Sequence, residues 1–177
     1  MNKLRITLTG LLLFSFLEAA VRSQSIDEYQ FKAVFLYNVA KFVEWPQGAF
    51  KTPTDPIVCC ILGEGPFGRS LEQAASSRVI EGRRFLMQHI TDARQAASCH
   101  ILFVSSLERK RWRSIIRDLK GRSILTVGET EDFTSEGGII NFKLEGEKAR
   151  IQINVDQARQ DRLKISSKLL GLSQIVK

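Results

Sequence analysis

The residues most suggestive of chemistry are three glycines. "GEGPFG" (Gly63–Gly68) matches the spacing G-x-G-x-x-G, follows an apolar run that reads as a strand, and opens a stretch that reads as a helix. That is the setting of a dinucleotide-binding loop, where the glycines let the backbone approach a pyrophosphate at a helix N-terminus. Glu81 lies 18 residues beyond Gly63, near where an acid would meet a ribose. Three features oppose this reading. Pro66 has no N–H to offer a phosphate. Glu64 places a negative charge where the phosphates would lie. "IEGR" (Ile80–Arg83) reads as a turn before a strand, not as the end of a second nucleotide-binding strand. The competing reading is a strand-to-helix turn in which Gly63 and Gly68 meet backbone demands.

Nucleophiles and metal ligands are sparse. There are 3 cysteines (Cys59, Cys60 and Cys99) and 2 histidines (His89 and His100). No CxxC or HxxxH spacing supports a zinc site. Neighbouring residues of a strand point to opposite faces. At most one of Cys59 and Cys60 can therefore face Cys99, and Cys99 and His100 cannot pair as a thiolate–imidazole couple. Neither histidine sits in a serine or cysteine nucleophile context. No catalytic constellation, metal site or cofactor is expected.

The clearest charged feature is "ERKRWRSIIR" (Glu108–Arg117), with five basic residues in ten. Trp112, Ile115, Ile116 and Leu119 recur at the spacing of one helix face, so the basic side chains fall on the other. Arg109, Lys110 and Arg113 are then either a solvated face or a docking surface for an acidic partner or anionic lipid. Near the C-terminus Ile165, Leu169, Leu172 and Val176 keep a helical spacing, with Lys164 and Lys168 at the start. That segment reads as a core helix or as a partner-binding helix, which makes the two lysines further candidate contacts.

The elements that must position these residues are legible in outline. "SIDE" (Ser25–Glu28) is a capping box for a helix from about Ile26 to about Val43, ended by Pro46. Its apolar residues occur on nearly every side, as expected of a helix covered by a sheet and by another element, with Tyr37, Asn38, Lys41 and Glu44 as the polar edge. "IVCCIL" (Ile57–Leu62), "RRFLMQHI" (Arg83–Ile90), "HILFVS" (His100–Ser105) and "SILTVG" (Ser123–Gly128) read as strands. Helices are expected at about Arg69–Ser76, Asp92–Ala97 and Leu107–Lys120, the last closed by Gly121. "IINFKL" and "ARIQINV" flank "EGEK" as a hairpin, and the chain from Asp156 reads as helical. Strands alternating with helices and then a hairpin predict a single α/β domain. Its sheet is mainly parallel, flanked by helices, with an antiparallel C-terminal hairpin at the edge.

The N-terminus sets the compartment. "MNKLR" carries Lys3 and Arg5, and "ITLTGLLLFSFL" (Ile6–Leu17) is 12 residues long, too short to span a bilayer but right for a signal-peptide core. Cleavage is expected near Ser23, giving a signal peptide over 1–23, a domain over 24–177 and a periplasmic location in a bacterium. The formal charge is +7. Lys3, Arg5 and Arg22 against Glu18 account for two of these charges, so about +5 stays with the exported part. Export argues against nucleic acid as the partner and against free NAD as a ligand.

Taken in order, "AVFLYNVAKFVEWP", "CILGEGPFG", "GRRF", "SCHILFVS", "ILTVGE", "GGIINFKLEGEKARIQINVDQA" and "LKISSKLLGL" resemble the YfiR-like family of periplasmic proteins. The resemblance spans Ala33–Lys177. It implies a regulator without catalytic activity that restrains an inner-membrane diguanylate cyclase by binding the cyclase's periplasmic domain. Such restraint lowers cyclic-di-GMP, and with it biofilm and adhesion. It also implies homodimers, sequestration by a Pal-like outer-membrane lipoprotein, and disulfides. Cys60 and Cys99 fall on the family's recurrent cysteine positions, which implies that they pair. No cysteine follows Cys99, so a second bridge nearer the C-terminus is not expected. Two other functions compete: a periplasmic small-molecule sensor, and a dinucleotide enzyme acting through Gly63–Gly68.

Overall fold

A computed structural model describes residues 31–63, 78–108, 110–145 and 148–176. The expected signal peptide, the capping box Ser25–Glu28, residues 64–68 of the glycine-rich loop, the helix at Arg69–Ser76 and Arg109 lie outside the described residues.

Among the described residues eight strands form one sheet in the order β10-β8-β7-β6-β5-β2-β4-β3, with β10 (Gln174–Val176) at one end and β3 (Val79–Ile80), antiparallel to β4, at the other. The central strands are β2 (Ile57–Leu62), β4 (Arg83–Ile90), β5 (Ile101–Val104), β6 (Leu125–Gly128) and β7 (Ile140–Glu145). Each is parallel to its neighbour among these five. β8 (Lys148–Asn154) returns antiparallel to β7 as the expected hairpin. Strands β2, β5 and β6 are buried almost throughout. This is why their sequences are continuous apolar runs and not alternating ones.

Each face of the sheet carries its own core. On one face lies α1, helical over 31–40, with Leu36, Val39 and Ala40 against Cys59, Ile61, Phe85, Phe103 and Val127. On the other lies α2 (Trp112–Leu119), whose Trp112, Ile115, Ile116 and Leu119 are buried at the expected spacing with Cys60, Leu62 and Phe133. Gly121 follows the end of α2 with φ +78, as a helix-terminating glycine should. Cys59 and Cys60 divide between the two cores as strand alternation requires. A 3-10 helix, Ala93–Ser98, stands where a short helix is expected, with Asp92 and Gln95 forming a capping box.

Four sequence expectations are corrected. First, α1 stops before Val43. Val43–Glu44 form a short strand, β1, paired antiparallel with β9 (Lys164–Ile165). Second, the C-terminal stretch is not one helix. It contains α3 (Val155–Gln160), β9, the single turn α4 (Ser167–Leu170) and β10 (Gln174–Val176). Arg162 interrupts it with φ 61, and Asn154 and Ser166 cap the two short helices separately. The helical spacing of Ile165, Leu169, Leu172 and Val176 is therefore coincidental; Leu172 is 77% exposed. Third, the hairpin is not the sheet edge, because β10 adds beyond β8 in parallel. Fourth, Tyr37, expected at a polar edge, is buried, with its ring edge against Phe85 and its hydroxyl donating to Val79 O.

Candidate functional site

Parallel strands bind ligands where neighbouring connections leave in opposite directions. Here the parallel strands run β4-β2-β5-β6-β7, so that point lies between β2 and β5. At their C-terminal ends Gly63, Thr91, Leu107, Glu108 and Arg111 line a cleft of about 580 Å³. Gly63 has φ +98 and sits so close to its neighbours that a Cβ there would lie 3.0 Å from Glu108 Cγ and 3.2 Å from its Oε1. Only glycine suits that position. Its close neighbour is a carboxylate, itself paired with Arg111 at 2.8 Å. A pyrophosphate approaching Gly63 would meet a negative charge, which weakens the dinucleotide reading further.

The same end of the sheet holds a second carboxylate. Glu129, just after β6, accepts from Ser106 N–H at 2.7 Å and pairs with Lys32 of α1 at 2.6 Å. Both partners are buried, so the pair ties α1 to the strand ends. Sequence reasoning missed it because the residues are 97 positions apart, and neither carries a local signal.

His100 is fully engaged. Its Nδ1 accepts from Val58 N–H at 3.1 Å, and Nε2 meets Ala49 O at 3.2 Å. Those partners require the neutral ring with its proton on Nε2. The ring stacks on Phe50 at 4.3 Å, Arg83 lies over Phe50 at 3.8 Å, and Trp45 Nε1 donates to His100 O. Burial pushes the imidazole pKa below its ordinary value, and the nearby Arg83 cation adds to the shift. The loop after α1 is therefore clamped on a neutral histidine, which explains how Trp45–Pro46 fix the helix exit. Such a ring has no nitrogen left for catalysis.

Cys60 and Cys99 are joined by a disulfide with Cα atoms 5.9 Å apart, the pairing the resemblance implies. Cys59 is a free, fully buried thiol, and burial pushes its pKa far up. A thiol held protonated in a dry core is a poor nucleophile. Among the described residues no group of histidines, cysteines and carboxylates is arranged to hold a metal ion.

The basic candidates fall on two separate surfaces. Lys110 and Arg113 are exposed at α2, where Arg113 meets Asp132 at 3.6 Å and Glu136 at 3.4 Å and lies over Trp112. Lys164 and Lys168 are exposed on β9 and α4, which pack with the α1 core on the opposite face of the sheet. Lys164 lies 3.8 Å from Glu44. No helix among the described residues is long and apolar enough to cross a membrane.

The fold is similar to a solved structure, a conserved domain protein from Vibrio cholerae O1 biovar El Tor str. N16961. The TM-score is 0.52 at 10% identity, over 68% of this chain. The chain spans 55% of that protein's length, so the likeness concerns the fold alone. No curated protein matches the chain in sequence. The model of the YfiR/HmsC-like family matches residues 29–174, both cores and every element described here except the end of β10. The chain belongs to the YfiR/HmsC-like family, a family of periplasmic regulators of diguanylate cyclases and not of catalysts.

Proposed function

We propose that this protein is a non-enzymatic periplasmic regulator that binds and inhibits the periplasmic domain of an inner-membrane diguanylate cyclase. Inhibition lowers cyclic-di-GMP and with it surface attachment. The observation that carries this reading is the family match over residues 29–174. The chemistry of the described residues supports it. His100 has both nitrogens bonded, the free thiol is buried, and the glycine after β2 faces a carboxylate. The disulfide fits an oxidising compartment. Under this reading residues 1–23 are a signal peptide and the protein acts as a homodimer. A Pal-like outer-membrane lipoprotein relieves the restraint by sequestering it, and no cofactor is needed.

The test pairs a gene deletion with capture of the exported protein. Deletion should raise cyclic-di-GMP and attachment, complementation should restore both, and capture should recover a membrane cyclase. Unchanged cyclic-di-GMP after deletion, together with no cyclase in the capture, would sink the proposal.

A further inference from the structure

A second cleft, of about 730 Å³, opens at the other end of the sheet, where β2, β5 and β6 begin. Its lining carries Lys51, Arg122 and Arg162 against one carboxylate, Asp55, a net charge of +2. Asp55 is already committed. It accepts from the N–H groups of Lys51 and Thr52 and from the Thr52 hydroxyl. Those bonds hold its pKa below the usual carboxylate range. His100, also in the lining, is neutral with both nitrogens bonded. Four other surface arginines have acids beside them: Arg94 has Asp92, Arg111 has Glu108, Arg113 has Asp132 and Glu136, and Arg159 has Asp156; the exposed Arg84 and Arg117 have no ion pair among the described residues. Among the described residues the side chains of Lys51 and Arg122 have none.

The wall of this cleft is also where the backbone departs from ordinary geometry. Among the described residues three that are not glycine have positive φ, and two of them, Ser123 (φ 58) and Arg162 (φ 61), line the cleft. Such conformations persist only where the surroundings hold them, and they gather at binding sites. The two turns hold each other. Gly121 N–H donates to Asp161 Oδ1 at 2.6 Å, and Arg162 Nη2 donates to Gly121 O at 2.9 Å. Ser123 is buried, yet its hydroxyl has no hydrogen-bond partner. A buried polar group without a partner calls for an explanation, and an absent ligand is one.

We propose that this cleft binds a phosphate-class dianion, either inorganic phosphate or a small phosphomonoester. The net +2 lining matches about two negative charges, which such groups approach near neutral pH. Arginine guanidinium groups and a hydroxyl are the donors that phosphate oxygens prefer. At the opposite end of the sheet Glu108 is paired with Arg111 and Glu129 with Lys32, which leaves no net positive charge from these groups for such a ligand. The site stands apart from the cyclase reading, because it is measured on the isolated protein.

The test is isothermal titration of the oxidised protein with inorganic phosphate, glycerol phosphate and acetate at matched ionic strength. Saturable 1:1 binding of the phosphates, with acetate at least tenfold weaker, is expected. An ester binding tenfold tighter than phosphate would show that the ligand's body contributes; equal affinity would identify the free ion as sufficient. Lys51→Gln with Arg122→Gln should weaken binding tenfold or more while leaving the unliganded Tm unchanged. Ser123→Gly, which suits the left-handed backbone, should also weaken it. The proposal is overturned if neither phosphate gives saturable heat. It is equally overturned if acetate binds as well, or if the double variant binds as wild type does.

Discussion

Lys32 Nζ lies 2.6 Å from Glu129 Oε2, and the two side chains are only 6% and 8% exposed. One residue belongs to α1 and the other directly follows β6, so the pair joins the first face of the sheet to its C-terminal edge. Buried pairs of this kind are costly to break and cheap to replace. Glu129→Gln should therefore destabilise the protein by about 3–5 kcal/mol, because it breaks a buried ion pair by removing one of its two charges. The double variant Lys32→Met, Glu129→Leu should recover much of that loss in a urea titration. A double variant no better than the single would mean that Glu129 matters through Ser106 N–H, which it also holds.

Phe133 fixes the far side of the sheet through two glycines. Its ring is fully buried, and a Cβ at Gly128 would overlap its Cδ2 while one at Gly138 would overlap its Cδ1 and Cε1. Gly128→Ala should cost about 1–3 kcal/mol or more by overpacking. Phe133→Leu in the same chain should return part of it, since the smaller side chain vacates the space. Additive losses in the double variant would show that the ring and the glycine do not compete for that volume.

These two relationships show where sequence reading reaches its limit. The central strands were legible because strands buried on both faces must be apolar throughout, as Ile57–Leu62 and Ile101–Val104 are. The buried stripe of α2 and the role of Gly121 follow from helix geometry alone. The β1–β9 pairing was invisible, because Val43 and Ile165 are 122 positions apart and each strand is two residues long. The C-terminal segment misled for a different reason. Its apolar period matches a helix, while a left-handed Arg162 and a capping Ser166 divide it. The clamp on His100 was illegible for the same cause as β1: Trp45, Phe50, Arg83 and His100 meet only through tertiary folding.

His100 gives the stability a pH dependence of known sign. Its pKa in the folded protein is lowered from the ordinary 6.5, mainly by burial. Between the folded value and 6.5 the unfolded chain binds more protons, so stability must fall as pH falls through that window. Above about 6.5 the contribution is fully present. The urea midpoint should thus drop between pH 7 and pH 5 more in wild type than in His100→Asn. Parallel pH profiles for the two proteins would remove His100 from the account.

The disulfide closes a loop with a sequence separation of 39. On the chain-entropy estimate that constraint contributes roughly 4 kcal/mol. Cys60→Ala with Cys99→Ala should lower stability by about that amount, read by urea titration. The oxidised native protein should show no thiol to a bulky reagent, because Cys59 is fully buried, and one thiol after unfolding. Three thiols after unfolding without reductant would contradict the bridge.

The basic surfaces can be separated by their own neighbours. Arg113 is already engaged by Asp132 and Glu136, whereas Lys164 has Glu44 at 3.8 Å and Lys168 has no ion pair among the described residues. A cation with no pair, as Lys168, or with one long and exposed pair, as Lys164, loses less on meeting an acidic partner than one held by two acids, as Arg113. The two surfaces also lie on opposite faces of the sheet, so one flat contact with a cyclase domain cannot use both. Lys164→Glu with Lys168→Glu should therefore weaken capture of the cyclase's periplasmic domain tenfold or more, and increasingly so at low salt. Arg113→Glu should change it less than threefold. The reverse pattern would place the interface on α2, and its salt dependence would then report the loss of Arg113 from its own acids.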